Sequence, residues 1–454
     1  MRKIFTAIVT LTCFATVLDA QQRISLQDCL EMCESGNPYV RNSKLDIQAS
    51  KAMKSEVMWS FFPDVSINGM GYYAQKPLIR ITPTDLLGTS DLAWTLNNAY
   101  LDIANRFGLP THYSTLHNGY AFGLMAVQPI YAGGRIINGN RLATVGVRAS
   151  ELQADLKLRN LKEEIEGKYW LVVSLQEKAK TLDKAESVLD SAWFFVTSAR
   201  DAGLVAPSDV TELSHKRSEL ASGKVKLRSG IKLAKMDLFN AIGMEYQYFD
   251  LDNYVLSETI DGLSEGDGLT GEESGVPIEV KLLDMQQEAK ELEKKVSVGE
   301  FLPEVGVGLS YGYGDMQGNG NGKFNGVGFV SVKIPLTGIG KAASRARRMD
   351  YEIQKVSNER EYLDEQLQLQ RRKLFLDIET SESQAEVSRE ALKDAEEAQR
   401  RCLADYEAGR VTVTDLLQAE LEYRSASEKH IEDCIEYRKA VNAYRCRYCE
   451  QQDD

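Results

Sequence analysis

Two copies of one short pattern stand far apart in this chain of 454 residues, and such repetition restricts the fold strongly. DAGLVAPSDV at 201–210 and EAGRVTVTDL at 407–416 share the form [DE]-A-G-x-V-x-x-[ST]-D-[VL], 206 positions apart. QPIYAGGR at 128–135 resembles IPLTGIGK at 334–341 at the same offset of 206. Equal spacing between matching landmarks predicts two copies of one structural unit.

The two copies differ in length at one place. FFPDV at 61–65 matches FLPEV at 301–305 at an offset of 240, which places about 34 extra residues in the first copy. These residues lie between FFPDV and QPIYAGGR. Because insertions collect at exposed loop tips, we expect a hairpin loop that is longer in the first copy.

Each copy has the same predicted order of elements. VGVGLSYGYG at 305–314 alternates apolar residues with glycine and serine, which indicates a strand with two unlike faces. A returning strand then ends at Pro129 or Pro335. Apolar residues next recur about every 3.5 positions from Leu158 to Val196, which is the coiled-coil period. The predicted fold class is mainly α with a small β part: two tandem repeats, each a helix, a β-hairpin, a very long helix and a returning helix.

The N-terminus has the features of a secretory signal. Arg2 and Lys3 precede an apolar run from Ile4 to Leu18, and Ala20 is the predicted cleavage point. We therefore predict a signal peptide at 1–20, a first repeat at 21–243, an acidic linker at 244–276 that lacks Lys and Arg after Met244, a second repeat at 277–449 and a tail at 450–454.

Charge and composition exclude several functions. A formal net charge of −13 argues against nucleic acid as a partner, since phosphate binding needs a basic surface. The four histidines do not cluster, and no pair of a nucleophile and a base stands out. The glycine-rich stretches do not satisfy a phosphate-loop pattern. We predict that the chain is not an enzyme and has no catalytic, cofactor-binding or metal-binding residue.

Cysteines lie near both ends of the chain. In an exported protein they favour disulfides or buried thiols over a zinc site. If the two ends lie side by side, a bridge from Cys29 or Cys33 to Cys446 or Cys449 is one arrangement.

The repeated pattern lies where each long helix stops. Gly203 and Gly409 suit the left-handed residue that ends a helix. Ser208 or Thr414, followed by an aspartate, suits the cap of the next helix, which runs back antiparallel. The pattern therefore predicts a helical hairpin.

Capping does not account for the whole pattern. Val205 and Val411 stand at the hairpin tips, where apolar side chains face water, so the tips are candidate docking surfaces. Asp209 and Asp415 have two interpretations, as helix caps or as functional carboxylates, and one carboxylate can serve both roles.

The doubled order of these landmarks resembles the TolC-like outer-membrane factor family. Nearly the whole mature chain takes part in the resemblance. It implies a homotrimer in which four strands per chain close a twelve-stranded β-barrel in outer-membrane lipid, continued by an α-helical barrel in the periplasm of a Gram-negative bacterium. Val305, Val307, Leu309, Tyr311 and Tyr313 then face lipid, and the glycine and serine face lines water.

The resemblance also implies a passive exit duct of a tripartite efflux pump or a type I secretion system. The periplasmic entrance is formed by the helical hairpins, and Asp415 matches an acidic residue that rings the constriction. Tyr406 matches a tyrosine that bonds to the neighbouring hairpin, with Asp209 as the matching acceptor. Three like charges in a narrow mouth attract cations and repel one another.

This sequence departs from the family pattern at two gate positions. Gln418 replaces the second acidic residue, and Val411 stands at the position of the basic latch, with Arg410 as its substitute one place earlier. By the same resemblance, the hairpin tips meet a periplasmic adaptor, or membrane fusion protein, that is linked to an inner-membrane transporter. The residues expected at these docking tips are Gly203, Leu204, Val205, Gly409, Arg410 and Val411.

Two other functions are compatible with an exported coiled-coil protein. One is the periplasmic adaptor itself, whose family has one helical hairpin, and the other is a fibrous structural protein, which has no need for glycine-alternating strands. The cargo is not readable from the sequence: drugs, metals, dyes, peptides and proteins all stay open.

Overall fold

The computed structural model describes residues 22–82, 85, 90–111, 113–115, 117–201, 206–245, 254–256, 276–315, 321–336 and 338–448. The predicted signal peptide, most of the predicted linker, the turn at 202–205 and the C-terminal tail lie outside the described residues. The chain divides into two compact units. The helical unit comprises Met1–Ala49, Arg148–Gln286 and Val356–Asp454, and the sheet unit comprises Ser50–Val147 and Gln287–Lys355.

The first half of the chain begins with a short strand and two helices, and it ends with two long helices. Its elements are β1 Gln22–Ile24, α1 Leu26–Gly36, α2 Pro38–Trp59, β2 Asp64–Tyr73, β3 Ile79–Ile81, α3 Asp91–Phe107, β4 Tyr113–Thr115, β5 Asn118–Ala132, α4 Arg135–Asp201 and α5 Pro207–Ile242. β6 Tyr254–Leu256 follows within the predicted linker and pairs in parallel with β1. The linker therefore contributes a strand, which the sequence analysis did not anticipate.

The second half has the same order of helix, two strands, long helix and shorter returning helix. Its elements are α6 Ile278–Gly299, β7 Glu304–Asp315, β8 Lys323–Lys333, α7 Gly338–Glu407 and α8 Val413–Tyr448. The predicted insertion in the first half carries β3, α3 and β4 between β2 and β5. It is thus an elaborated loop with its own short strand pair and helix.

One antiparallel sheet unites strands of both halves. Its order is β2-β5-β7-β8, so the hairpin of each half contributes two strands and the halves meet where β5 pairs with β7. The returning strand was predicted to end at proline. That prediction is right for β8, which ends before Pro335, and wrong for β5, which continues through Pro129 to Ala132. The register shifts between Pro129 and Tyr131, because a proline without an N–H interrupts the ladder and is accommodated at an irregularity.

A pair of facing glycines brings β5 and β7 together. A Cβ atom added to Gly123 would lie 2.6 Å from the Cα of Gly312 and 2.7 Å from the carbonyl oxygen of Tyr311. Contacts this short are not found for real Cβ atoms, so each position requires glycine for the strand separation seen here.

The two long helices have the predicted extent. α4 has 67 residues and α7 has 70. The apolar positions predicted along α4 are largely buried, among them Ile165, Leu182, Leu189 and Val196. No helix within the described residues combines the length and the apolarity that a membrane span requires.

The helical unit contains a large core near the N-terminus of the chain. Tyr169, Leu238 and Phe239 are fully buried there, and the Tyr169 hydroxyl donates a hydrogen bond to the Ile24 carbonyl, 3.2 Å away. The same core encloses Cys29, Cys33 and Cys434.

These cysteines are buried thiols. Among the described residues Cys29, Cys33 and Cys446 are all unbridged, so the proposed bridge to Cys446 does not form, and Cys449 lies outside the described residues. Burial raises the pKa of the Cys33 thiol to about 11. A thiol this hard to ionise is a poor nucleophile and a poor metal ligand, which agrees with a packing role.

Replacement of Gly312 by alanine tests the close approach of β5 and β7. The added methyl group would overlap the backbone of β5, and we expect a loss of about 1–3 kcal/mol in the free energy of unfolding. Thermal unfolding in detergent, followed by circular dichroism, measures the effect. Gly71→Ala in β2 is the matched control, because the atom nearest to its added Cβ is 3.8 Å away. Equal midpoints for the two variants would contradict this account.

Candidate functional site

The end of α7 forms a glycine-terminated cap. Gly409 has φ +69°, and its N–H donates to the carbonyl of Tyr406 at 2.9 Å. The Arg410 N–H donates to the carbonyl of Asp405 at 2.8 Å. This pair of bonds is the Schellman motif, so Gly409 has the left-handed conformation that the sequence predicted. Among the described residues no atom lies within 4 Å of a Cβ added at Gly409, so the backbone angle favours glycine here.

The next helix, α8, begins at a capping box. Thr412 donates to Asp415 Oδ2 twice, from its N–H at 2.9 Å and from its hydroxyl at 2.6 Å. The Asp415 N–H donates back to Thr412 Oγ1 at 3.3 Å. The cap is therefore Thr412, and the prediction of Thr414 was wrong by two residues, since the chain turns into the helix sooner than the pattern suggested.

These bonds favour the ionised form of Asp415. The hydrogen bonds from the Thr412 side chain and backbone lower the pKa of its carboxyl group below the ordinary value of 3.8. Asp415 is exposed, so its negative charge is available to solvent as well as to the cap.

The equivalent helix in the first half starts differently. α5 is capped by Ala206, which makes no side-chain hydrogen bond, and Pro207 occupies the first helical position. The prediction that Ser208 and Asp209 form this cap was wrong. Proline lacks an N–H and is preorganised for a first turn, so it starts the helix before either residue can cap it. The Ser208 hydroxyl instead donates to Asp209 Oδ1 at 3.1 Å.

Tyr406 lies near Asp209 but is not bonded to it. Its ring is half-buried against a core formed by both hairpins. Burial, and to a smaller extent the Asp209 carboxylate, raise the pKa of the Tyr406 hydroxyl. Among the described residues no hydrogen bond joins this hydroxyl to Asp209. The two residues are therefore close, and the bond implied by the family resemblance is not formed in this single chain.

Arg410 and Val411 follow Gly409 at the second hairpin tip, and Arg410 contacts its own hairpin. The Arg410 guanidinium is exposed and pairs with Asp405 at 2.6 Å, on the helix that it follows. Val411 was predicted to face water, and it is half-buried instead. The other predicted tip residues, Gly203, Leu204 and Val205, lie outside the described residues.

The two hairpins share one apolar core, which we call the tip core. It lies inside the helical unit, and its buried members are Leu182, Ala185, Leu189, Ala192, Val196, Leu213, Leu220, Val413 and Leu416. Near it, the Thr414 hydroxyl donates to Glu212 on the other hairpin at 3.5 Å. The motif copies are thus brought together, although they are 206 residues apart in the chain.

A buried carboxyl beside the tip core escaped the sequence analysis. Glu420 is only 4% exposed, its Oε2 accepts a hydrogen bond from Gln399, and burial raises the pKa of its carboxyl group. It lines a groove of about 750 Å³ between α5 and α8. The sequence does contain a sign that Glu420 is buried. Leu416, Glu420 and Tyr423 are spaced by four and three residues, which places them on the same, buried side of α8.

The sheet unit presents an apolar face to the outside of the chain. Side chains alternate along each strand, and Ile67, Leu124 and Tyr311 stand side by side on one face across three strands. On the same face Leu309 is 71% exposed and Tyr311 is 61% exposed. The remaining exposed members of this apolar face are Val65, Tyr73, Tyr120, Phe122, Val307, Phe324, Val330 and Val332.

The opposite face of the sheet mixes small and polar residues with a few apolar ones, namely Met70, Met125, Val127, Val327 and Phe329. It carries the glycines of β7 at 306, 308, 312 and 314 with Ser310, as the alternation in VGVGLSYGYG predicted. Ser66 and Asn68 of β2 share this face by register. The two faces therefore differ in side-chain size and polarity, and the face with the continuous run of exposed apolar side chains is the one suited to contact with lipid.

Aromatic rings gather at the end of the apolar face near the strand turns. Tyr120, Phe122 and Phe324 surround Tyr313 with ring centroids 5.3–6.3 Å apart. We call this end of the sheet the turn end, and the end where β5 and β8 enter the long helices the helix end. Aromatic residues concentrate in this way at membrane interfaces.

Comparison with known proteins agrees with this architecture. Residues 282–444 match the family model described as outer membrane efflux protein. The solved structure of VceC, an outer membrane protein of Vibrio cholerae, matches with a TM-score of 0.68 at 13% identity, over 94% of this chain and 97% of that chain. The CmeC outer membrane channel of Campylobacter jejuni matches with a TM-score of 0.69 at 12% identity, over 94% and 87%.

A third similar structure is the outer-membrane channel OprN, with a TM-score of 0.70 at 16% identity, over 93% of this chain and 89% of that chain. A search of curated proteins found no match. The resemblance to the outer-membrane factor family is confirmed by the family model within the second predicted repeat and by the fold along most of the chain. CmeC and OprN are outer-membrane channels rather than enzymes, which is consistent with the expectation that the chain is not an enzyme.

The capping box predicts a stability change that depends on pH. Thr412→Ala removes the hydroxyl donor to Asp415 and should lower the free energy of unfolding by about 1 kcal/mol at neutral pH. The folded pKa of Asp415 lies below its ordinary value, so its stabilising contribution is present above that value and is lost as the pH falls through the folded pKa.

Thermal midpoints of the two proteins, compared from neutral to acidic pH, therefore converge on acidification. Thr414→Ala serves as the control, because its hydroxyl makes only a long bond to Glu212. A difference between Thr412→Ala and the unaltered protein that stays constant with pH would rule out the Asp415 carboxylate as the acceptor that matters.

Proposed function

We propose that this protein is the outer-membrane exit duct of a tripartite efflux pump, conducting substrates passively from the periplasm to the exterior. The observation that carries the proposal is the four-stranded sheet with an exposed apolar face, in a chain whose fold matches outer-membrane channels. A type I secretion system uses the same kind of duct and is the second candidate role.

Three copies of the chain would complete the sheet. Within the described residues β2 and β8 each pair with one neighbour in the four-stranded sheet, so each has an outer edge with unpaired backbone groups. In lipid an unpaired edge costs several kcal/mol for every backbone group left unsatisfied. Pairing β2 of one copy with β8 of the next removes both edges, and three copies give twelve strands, as the family resemblance implies.

The two faces of the sheet then have separate functions. The apolar face, including Leu309 and Tyr311, lies against lipid. The face of β7 that carries glycine and serine lines a water-filled lumen, together with Ser66 and Asn68 of β2 and with Phe329 of β8, whose ring lies over Gly308. This division needs no binding pocket in the wall, so selection of cargo falls to other components.

The helices supply a second argument for assembly. Large apolar side chains stand exposed along α4, α5 and α7, among them Phe194, Leu233, Leu369 and Val387. Exposed apolar side chains of this size are typical of protein interfaces. In a homotrimer they would contact neighbouring copies, so that the helices form the walls of an α-helical barrel.

The ends of the hairpins would control the entrance. In a trimer, three Asp415 carboxylates in a ring would attract cations, and their ionised state is favoured by the bonds from Thr412. Tyr406 and Asp209 lie close without a hydrogen bond, and Arg410 pairs within its own hairpin. The residues for links between hairpins are thus in position, and we propose that assembly with other copies engages them.

The tips would be the contact for a periplasmic adaptor, which joins the duct to an inner-membrane transporter. This role is proposed for Gly203, Leu204, Val205, Gly409, Arg410 and Val411 by family resemblance. Half-burial of Val411 makes Arg410 and Gly409 the more accessible part of the second tip. A periplasmic adaptor or a fibrous protein would instead need no apolar sheet face.

Reconstitution tests the duct directly. Purified protein should require detergent for extraction, run as a heat-sensitive trimer, and give stepwise ion conductance in planar bilayers. Substitution Asp415→Ala should weaken the block of current by divalent or trivalent cations, because the ring of charge is lost. Glu422→Ala, another exposed acidic residue of α8, is the control.

If correctly assembled trimers gave no conductance, the proposal that this protein is an exit duct would be wrong. Conductance with unchanged cation block in Asp415→Ala would leave the duct in place and remove Asp415 from the gate.

Placing negative charge at the tips tests adaptor docking. Arg410→Asp and Val205→Asp should restore no efflux in a cell that lacks this duct, while trimer yield and conductance in bilayers stay normal. Glu407→Lys, an exposed position at the end of α7, is the control for a charge change just before the tip. Full efflux by both tip variants, measured as minimal inhibitory concentrations of toxic compounds, would count against docking at these residues.

A further inference from the structure

Positive charge is concentrated in one segment of each half. The chain has a net charge of −13, yet no Asp or Glu occurs between Asp315 and Asp350. This stretch carries six cations, namely Lys323, Lys333, Lys341, Arg345, Arg347 and Arg348. The first half repeats the pattern, with no acidic residue between Asp102 and Glu151.

Two of these cationic positions coincide in the two copies. Arg135 and Lys341 are 206 residues apart, and so are Arg141 and Arg347. This is the offset of the motifs that define the repeat. Both halves therefore place positive side chains at the same point of the structure, the first turns of the long helices α4 and α7.

These side chains lie in the sheet unit, at the helix end of the sheet. Lys333 is the last residue of β8, and Lys341, Arg345 and Arg348 follow on one side of α7, since they are spaced by four and three residues. The aromatic rings around Tyr313 mark the other end of the same sheet. The charges thus stand at one border of the apolar face.

Three of these cations contact a carboxylate: Arg135 pairs with Glu304 at 3.1 Å, and Arg345 and Arg348 have one partner each. Arg345 pairs with Glu300 at 2.5 Å and lies 5.2 Å above the ring of Phe301. Arg348 is 3.8 Å from Glu352, a long contact between exposed groups that contributes little. Within the described residues, exposed Lys341 makes no ion pair, and the same is true of Lys333 and Arg347.

Apolar side chains stand immediately beside the charges. Ile334 and Leu336 continue the apolar face beyond β8, and Leu336 is 81% exposed. Phe301 forms one wall of an open groove of about 500 Å³, whose other walls include Lys341, Ser344 and Arg348. Apolar groups next to unpaired cations fit an amphiphile with a negative head group and a hydrocarbon tail.

We infer that this basic border of the sheet binds the phosphate head groups of anionic phospholipids, with the lipid tails against the apolar face. The inference rests on the proposed function, because it places the sheet in a membrane with its helix end at one leaflet surface. Beyond the proposed function, the inference names the class of lipid that is bound and the residues that anchor the protein at a fixed depth in the membrane. An acidic protein would match the charges but not the adjacent exposed Ile334 and Leu336.

The full-length protein in lipid vesicles provides the test. Trp59, which is 69% exposed and precedes β2 at the helix end, reports on nearby lipid through its fluorescence in a Trp94→Phe background, which removes the other exposed tryptophan of the sheet unit. Brominated phosphatidylglycerol and brominated phosphatidylcholine quench this fluorescence in proportion to their occupancy at the protein surface. We expect anionic lipid to be favoured about tenfold at low salt, and much less at high salt, where charges are screened.

The variant Lys341→Gln/Arg347→Gln/Arg348→Gln should lose most of this preference. Its matched control is Lys355→Gln/Arg372→Gln/Lys373→Gln, which removes the same charge from exposed positions farther along α7. Arg347→Lys, which keeps the positive charge, should retain the preference. If the triple variant fails to assemble as a heat-sensitive trimer, the single substitutions Lys341→Gln and Arg347→Gln replace it, each with a partial loss expected.

Each outcome has a definite meaning. Equal quenching by the two lipids, or an unchanged preference in the cationic variants, overturns the inference and leaves the duct intact. Loss of the preference on adding inorganic phosphate at constant ionic strength would assign the site to free phosphate instead of lipid, and also overturns it. Failure of the protein to enter vesicles at all overturns both the inference and the proposed function.

Discussion

The pairing of β5 with β7 joins the two halves of the chain into one sheet, and the other features of the sheet unit depend on it. Gly123 and Gly312 face each other across this pair, at a separation that excludes any Cβ atom. Without this contact each half would hold only a two-stranded hairpin, which is marginally stable in water. With it, four strands present one continuous apolar face and an opposite face of mixed, smaller and more polar residues.

The repeated turn shows how one sequence pattern acquires two local structures. In the second half Thr412 and Asp415 form a capping box, and Gly409 ends the preceding helix. In the first half Pro207 starts the helix, so Asp209 is released from capping and lies near Tyr406. The two aspartates are equivalent in sequence but not in local structure: Asp415 is bonded to its own helix start, and Asp209 is bonded to Ser208 and lies near Tyr406.

Charge and apolar surface are distributed along the sheet in a definite order. Aromatic rings gather at the turn end, an exposed apolar face follows, and unpaired cations such as Lys341 and Arg347 occupy the helix end. In a sheet that is surrounded by water, this order would have no physical role. In a bilayer it has one, because the two borders of the sheet meet head groups while its middle meets hydrocarbon.

Much of this protein was determined by its sequence alone. Local periodicity is enough to predict β7, the extents of α4 and α7, and the left-handed Gly409, since each depends on neighbours in the chain. The cap at Thr412 is also local, because the T-x-x-D spacing of Thr412 and Asp415 is present in the sequence and was overlooked. The continuation of β5 through Pro129 and the buried Glu420 were decided by tertiary structure. These depend on backbone paths and on partners such as Gln399 that lie on other segments, and sequence spacing carries no record of such distances.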